Sequence, residues 1–166
     1  AGLPRAQLSG SNTGIYVGIM SMEFKDALQL TNTYAFTGLG HCFAAGRLSY
    51  VLGLHGECEA IDTACSASLV ACHHARSTML LRDCPSSLFA GVNMMFLPST
   101  TAAYSAAGIT SPSGRSFAFD ARADGFIRGE GCCAYVLGQG VECFEALAEL
   151  AGTAVRQDGR SASLTA

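Results

Sequence analysis

Glu59-Ala60-Ile61-Asp62-Thr63-Ala64-Cys65-Ser66-Ala67-Ser68-Leu69-Val70 is the stretch from which the rest of the chain is read. A short apolar run ends in a cysteine, small residues follow, and a helical pattern begins. A strand that turns sharply into a helix presents its corner residue to a pocket, with the helix N-terminus aimed at it. A thiol at that corner sits against unpaired backbone N–H groups and the positive end of the helix dipole. Both favour thiolate over thiol, so Cys65 is the candidate nucleophile.

Outward from this turn, hydrophobic spacing predicts an alternation of strands and helices. Residues 58–62 form the strand before the turn, and residues 66–81 the helix after it, closed by Asp83-Cys84-Pro85. Ala67, Ala71 and Ala75 recur every four residues, a small-residue stripe that lets a sheet or helix approach closely and marks this helix as central. Upstream, Gly14-Ile15-Tyr16-Val17-Gly18-Ile19-Met20 reads as a buried strand, residues 24–30 have helical spacing, and residues 44–52 form a helix that stops at Gly53. Downstream come a strand over 87–95, a helix over 98–107 with Pro98 in its first turn and Gly108 at its stop, a glycine-punctuated loop over 111–131 and a strand over 132–137. Residues 141–152 have helical periodicity, and residues 152–155 fit strand or helix. The alternation indicates an α/β protein with a layered sheet.

The chain has 166 residues, enough for one domain with a real core. At 49% hydrophobic and 14% charged it is apolar for a free-standing domain, which points to surfaces covered by a partner or by further chain. A net charge of -3 gives no electrostatic reason to expect nucleic acid or an anionic membrane. No apolar run approaches the ~18 residues of a spanning helix. The start, Ala1-Gly2-Leu3-Pro4-Arg5, has neither an initiator Met nor a signal-peptide pattern and reads as a cut inside a longer chain. Of the eight cysteines, Cys42, Cys58, Cys72, Cys84, Cys132, Cys133 and Cys143 read as buried small hydrophobes in a reducing compartment. None are spaced C-x-x-C and no histidine pair completes a zinc pattern, so no metal site is expected.

Asp62-Thr63-Ala64-Cys65-Ser66-Ala67-Ser68-Leu69-Val70 resembles the active-site signature of the β-ketoacyl synthases, the condensing enzymes of fatty acid and polyketide synthesis. Four further blocks are similar in order and spacing: residues 44–54, Ala90-Gly91-Val92-Asn93, the loop from Ser111-Pro112-Ser113-Gly114-Arg115 through Arg128-Gly129-Glu130-Gly131, and Gln157-Asp158-Gly159-Arg160-Ser161. The resemblance implies a thiolase-like fold of layers α-β-α-β-α, of which residues 1–166 would be one partial domain from the middle portion. Residues 1–115 would be the rear of the first half and residues 116–166 the start of the second. It implies a ketosynthase in which Cys65 accepts an acyl group and its backbone N–H is one oxyanion donor, followed by decarboxylative Claisen condensation with a malonyl-type extender. No bound cofactor is implied; substrates would ride on the phosphopantetheine of an acyl carrier protein. The resemblance further implies a homodimer with the strand before Cys65 near the two-fold axis, in the cytoplasm or another reducing compartment, plastids included. Two histidines used by the family lie in a His-Gly-Thr-Gly-Thr motif and a later Gly-His motif, and neither motif occurs here. The alternatives are a non-catalytic carrier-docking or structural domain, and a cysteine hydrolase with water as acceptor.

The remaining polar residues carry less chemistry. His73 and His74 lie on the helix that follows Cys65, ~12 Å or more along its axis, beyond imidazole reach. They read as structural, and His55 as solvated in a turn. His41, in a segment unlike the family's, is left open between pocket wall and packing. Asp62 and Thr63 are expected to support the turn. Asp120, Arg122, Asp124, Arg128 and Glu130 alternate in sign and are expected to hold the long loop in place. Arg128-Gly129-Glu130-Gly131 lacks the Lys-Ser/Thr ending of a phosphate loop. The apolar positions of residues 24–30 read as core rather than as an acyl-binding surface.

Overall fold

A computed structural model describes residues 4–20, 23–28, 32–140 and 146–162. The elements run α1 (Arg5–Leu8), β1 (Thr13–Gly18), α2 (Glu23–Leu28), α3 (Ala35–Leu39), α4 (Cys42–Leu52), β2 (Cys58–Ile61), α5 (Ala67–Leu80), β3 (Ser86–Asn93), α6 (Pro98–Ala106) and β4 (Gly131–Gly138). The strands form one sheet in the order β2-β1-β3-β4. β1 is parallel to both of its neighbours, and β4 runs antiparallel to β3 over eight residue pairs. The sheet therefore includes strands from both sides of the expected division near residue 115.

Alternation along β1 sorts the two faces of the sheet. Ile15 and Val17 face one side, where they meet Ala45 of α4 and Leu54, with Leu8, Leu52, Leu88 and Val92 packed around them. Tyr16 faces the other side, against Ala71 and Ala75 of α5, with Ile61, Phe89 and Leu137 beside it. The described residues thus make a helix–sheet–helix sandwich, three of the five layers expected. The alanine stripe is the contact face of α5: Ala67, Ala71 and Ala75 are all buried. Where α4 stops, Gly53 adopts φ +70° and its N–H bonds the carbonyls of Ser49 and Tyr50, the left-handed close that glycine makes without strain.

Tyr16 ties the far end of α5 to the sheet. Its hydroxyl is 2.6 Å from Thr78 Oγ1 and donates to Glu57 at 3.2 Å. Burial pushes its phenol well above the ordinary range, so it stays a donor. Thr78 in turn donates to the carbonyl of His74 at 2.9 Å. On the outer side of β3, Phe89 stacks on its cross-strand partner Tyr135, ring centroids 5.1 Å apart.

Several expectations are corrected. Among residues 146–152 no helix forms, and 152–155 are neither strand nor helix; residues 141–145 lie outside the described residues. This tail takes its partners from α5 instead, with Thr153 Oγ1 2.9 Å from His73 Nδ1 and Arg76 donating to the carbonyl of Ala151 at 3.3 Å. Only Cys72 and Cys84 are buried among the packing cysteines; Cys42, Cys58, Cys132 and Cys133 are exposed, and Cys143 lies outside the described residues. Cys58, Cys132 and Cys133 stand on the two outer strands, which among the described residues have a neighbour on one side only. Phe24 and Leu28 are 42% and 44% exposed rather than core, on a helix of only six residues; residues 29 and 30 lie outside the described residues.

Large apolar side chains remain on the surface, among them Tyr34, Phe36, Tyr50, Leu69, Leu81 and Phe119. Surfaces of this kind drive association in water. The isolated 166-residue chain is expected to self-associate at micromolar concentration, as read by light scattering after gel filtration. A monodisperse monomer with a cooperative melt would contradict this.

Candidate active site

β1, β2 and β3 are parallel and end at the same edge of the sheet. There Gly18 is in register with Ile61 on one side and Gly91 on the other. In open α/β sheets, chemistry gathers beyond this carboxyl edge. Cys65 stands there, exposed, in the turn between β2 and α5.

The turn is built by short-range bonds. Asp62 Oδ1 accepts the Ala64 N–H at 3.0 Å. The Ser66 and Ala67 amides donate to the carbonyls of Thr63 and Ala64, at 3.3 and 3.0 Å. The Ser66 hydroxyl donates to the Thr63 carbonyl at 2.9 Å and lies 2.9 Å from Thr63 Oγ1. Asp62 and Thr63 are thus supports of the turn. Ala64 is held at φ +54°, a left-handed conformation that a side chain disfavours by about 1–2 kcal/mol. Strain immediately before a candidate nucleophile is a known companion of functional turns; nothing in an Ala-Cys-Ser sequence announces it.

The first turn of α5 rests on the sheet where glycines clear the way. A Cβ at Gly18 would overlap the Ser68 amide nitrogen and lie 2.6 Å from the Ala67 carbonyl carbon. A Cβ at Gly91 would lie 2.6 Å from Ser68 Cβ. Neither glycine stands out in the sequence for this role, although each ends or interrupts a β-rich run.

An apolar pocket opens at the same edge, lined by Ile19, Phe24, Val92, Asn93, Met94 and Phe96. A buried ion pair frames it. Glu23, 4% exposed, accepts the amides of Phe96 and Leu97 at 2.7 and 2.8 Å and pairs with Arg128, which also donates to Thr101 and lies over the Tyr104 ring. Burial pushes the Glu23 carboxyl up, but the Leu97 amide, Arg128, the Phe96 amide and Thr100 together hold it at about 2. Two further bonds fix the loop to the β3–α6 connection: Asn93 donates to the Gly129 carbonyl, and Glu130 accepts the Met95 amide at 2.7 Å. Of the charges expected to hold the loop in place, Asp120 and Arg122 pair locally, while Arg128 and Glu130 reach across to other elements. Glu23 carries no sequence signal for this role, since its partner is 105 residues away.

His74 pairs with Glu59 of β2 at 2.8 Å, His73 bonds Thr153, and His55 is exposed. His41 lies before α4 and is not among the residues lining the pocket. Among the described residues no group of three or more His, Cys, Asp or Glu is placed to hold a metal ion, and no helix is long and apolar enough to cross a membrane.

Residues 1–141 match the family model described as the beta-ketoacyl synthase N-terminal domain. Over its full length the chain is 43% identical to a phenolphthiocerol/phthiocerol polyketide synthase of Mycobacterium tuberculosis and spans 11% of that protein. It is 39% identical to a polyketide synthase-nonribosomal peptide synthetase of Aspergillus clavatus, matching over 99% of the chain and 4% of that protein. Among solved structures, the ketosynthase from module 6 of the bacillaene synthase of Bacillus subtilis 168 superposes with TM-score 0.75 at 38% identity, over 82% of this chain and 23% of its own. An oxazolomycin ketosynthase domain of Streptomyces albus JA3453 superposes with TM-score 0.72 at 31% identity, over 82% and 25%.

Two outcomes test this geometry. Glycine at position 64 gains in the folded turn roughly what it loses in chain entropy, so Ala64→Gly is expected to change stability by less than about 1 kcal/mol, whereas Ala64→Val costs more than that; denaturant melts of the full-length parent decide it. Because the Glu23 carboxyl is lowered from 4.5 to about 2 on folding, its contribution is complete above pH 4.5 and is lost as the pH falls toward 2. Glu23→Gln is expected to remove that part of the acid dependence, as seen by pH-resolved melts.

Proposed function

The chain belongs to the β-ketoacyl synthase family, and from that premise we propose that it carries the acyl-accepting half of a polyketide ketosynthase active site, with Cys65 as nucleophile. The Cys65 sulfur attacks the carbonyl carbon of an acyl thioester borne on a carrier protein's phosphopantetheine. A new carbon–sulfur bond forms, the bond to the pantetheine sulfur breaks, and the pantetheine leaves as a thiol with the proton that Cys65 gives up. Sulfur suits this role because the enzyme-bound thioester keeps an electrophilic carbonyl and a good leaving group. A malonyl-type extender then loses carbon dioxide, and the carbanion left behind attacks the acyl carbon. The carbon–carbon bond forms as the Cys65 sulfur departs as thiolate. Each tetrahedral intermediate needs donors aimed at its oxygen, and the Cys65 backbone N–H is proposed as one of them.

The observation that carries the reading is the turn itself. The family's Cys-containing signature falls on an exposed strand-to-helix corner, at the carboxyl edge of three parallel strands. The two histidine motifs that the family uses for decarboxylation do not occur in these residues. The 166-residue chain is therefore expected to accept an acyl group without condensing it. The carrier protein and the thioester substrates are partners of the parent. A homodimer is proposed as well: β2 is an outer strand among the described residues, and its outer side would pair with the same strand of a second copy.

The test uses the full-length parent and its Cys65→Ala variant, given an acyl thioester and a malonyl-loaded carrier. The expected result is an acyl adduct on the peptide containing Cys65 and a β-ketoacyl product, both lost in the variant. An adduct that yields only free acid would make the protein a hydrolase, and no adduct at all would make it a non-catalytic relative.

A further inference from the structure

We propose that Gly18, Gly91 and Ser68 are positioning residues for Cys65: together they set the depth at which the first turn of α5 seats on the sheet, and hence where the thiol stands. This rests on the nucleophilic role assigned to Cys65 above. Gly18 and Gly91 are register partners on adjacent strands, so they form a two-glycine floor at the carboxyl edge of the sheet. Both floor positions point at the same place on α5, one residue into the helix. Gly18 faces main chain, the Ser68 amide nitrogen and the Ala67 carbonyl carbon, and Gly91 faces the Ser68 side chain.

At this end the bonds described above run within residues 62–67, and the seat on β1 and β3 is a steric fit. Farther along, α5 is held by directed bonds: Tyr16 to Thr78, and Gln139 to the Met79 carbonyl at 2.6 Å. At its start the N-cap residue Ser66 makes no side-chain cap bond. A methyl group at position 91 would stand 2.6 Å from Ser68 Cβ. Relieving that overlap requires the first turn to rise by about 1 Å, and a misplacement of that size can cost on the order of 100-fold in rate. Cys65 is three residues from Ser68 and moves with it.

The contacts also predict an asymmetry. At position 91 the obstruction is a side chain and can be removed from the other partner; at position 18 it is backbone and cannot. In the full-length parent, Gly91→Ala is expected to slow acylation of Cys65 at saturating acyl thioester by roughly tenfold or more, with half-saturation unchanged within about twofold. Adding Ser68→Gly is expected to restore the rate to within about threefold of the parent. Gly18→Ala is expected to slow acylation as well, and Ser68→Gly is expected not to rescue it. Adducts are read by mass spectrometry of the peptide containing Cys65.

Parent-like acylation in Gly91→Ala, failure of Ser68→Gly to rescue it, or rescue of Gly18→Ala would each overturn the proposal. Should Gly91→Ala prove insoluble, the double variant with Ser68→Gly decides: folded protein with near-parent acylation supports the seat, and an insoluble or slow double variant refutes it. An unsubstituted parent that is never acylated would instead strike at the role of Cys65. The rate of Cys65 alkylation by iodoacetamide, which needs no acyl substrate, would then be compared across the same variants and is expected to follow the same order.

Discussion

The close seat of α5 on β1 and β3 is the constraint on which the rest of the structure depends. A helix can lie this near a sheet only if both surfaces are thin. The sheet supplies Gly18 and Gly91, and the helix supplies Ala67, Ala71 and Ala75. Once that approach is fixed, the short link from β2 has no slack. Five residues must leave the sheet, reverse and enter the helix, and Ala64 takes a left-handed conformation to do so. The exposure of Cys65 follows from the same geometry, since it occupies the outside of a corner whose inside is filled.

A second layer of organisation surrounds this corner. Three segments distant in sequence converge on the carboxylate of Glu23: the start of α2, the connection from β3 to α6, and the long loop through Arg128. A buried carboxylate with one partner would be costly, but this one accepts two backbone amides and a guanidinium, and its charge is thereby retained. The arrangement places Phe24 and Phe96 side by side, ring centroids 5.3 Å apart, on the wall of the apolar pocket. An electrostatic junction thus shapes a hydrophobic surface.

How much of this the sequence disclosed depends on the range of the interaction. The strand before Cys65, the helix after it and its buried alanine stripe were legible, because period and composition are local properties. So was the α/β class, since the strands and helices alternate. The seat of α5 was not legible, because a glycine that clears space for a distant helix looks like any glycine in a strand. The Glu23–Arg128 pair was hidden by 105 intervening residues. The exposure of the Cys58, Cys132 and Cys133 thiols runs against their residue type, because strand order decides which strands are outermost. The helical periodicity that runs into residues 146–152 is overridden there for a related reason: that part of the tail takes its partners from α5, not from its own backbone.

That tail has one more consequence. Residues 146–162 form a strap without regular structure, fastened to α5 where Thr153 meets His73 and where the Ala151 carbonyl meets Arg76. Cutting the strap severs neither a strand nor a helix of the layered body. Proteolysis there would report undocking of a cover rather than global unfolding, and what it lays bare is the flank of the very helix that carries the candidate thiol at its head.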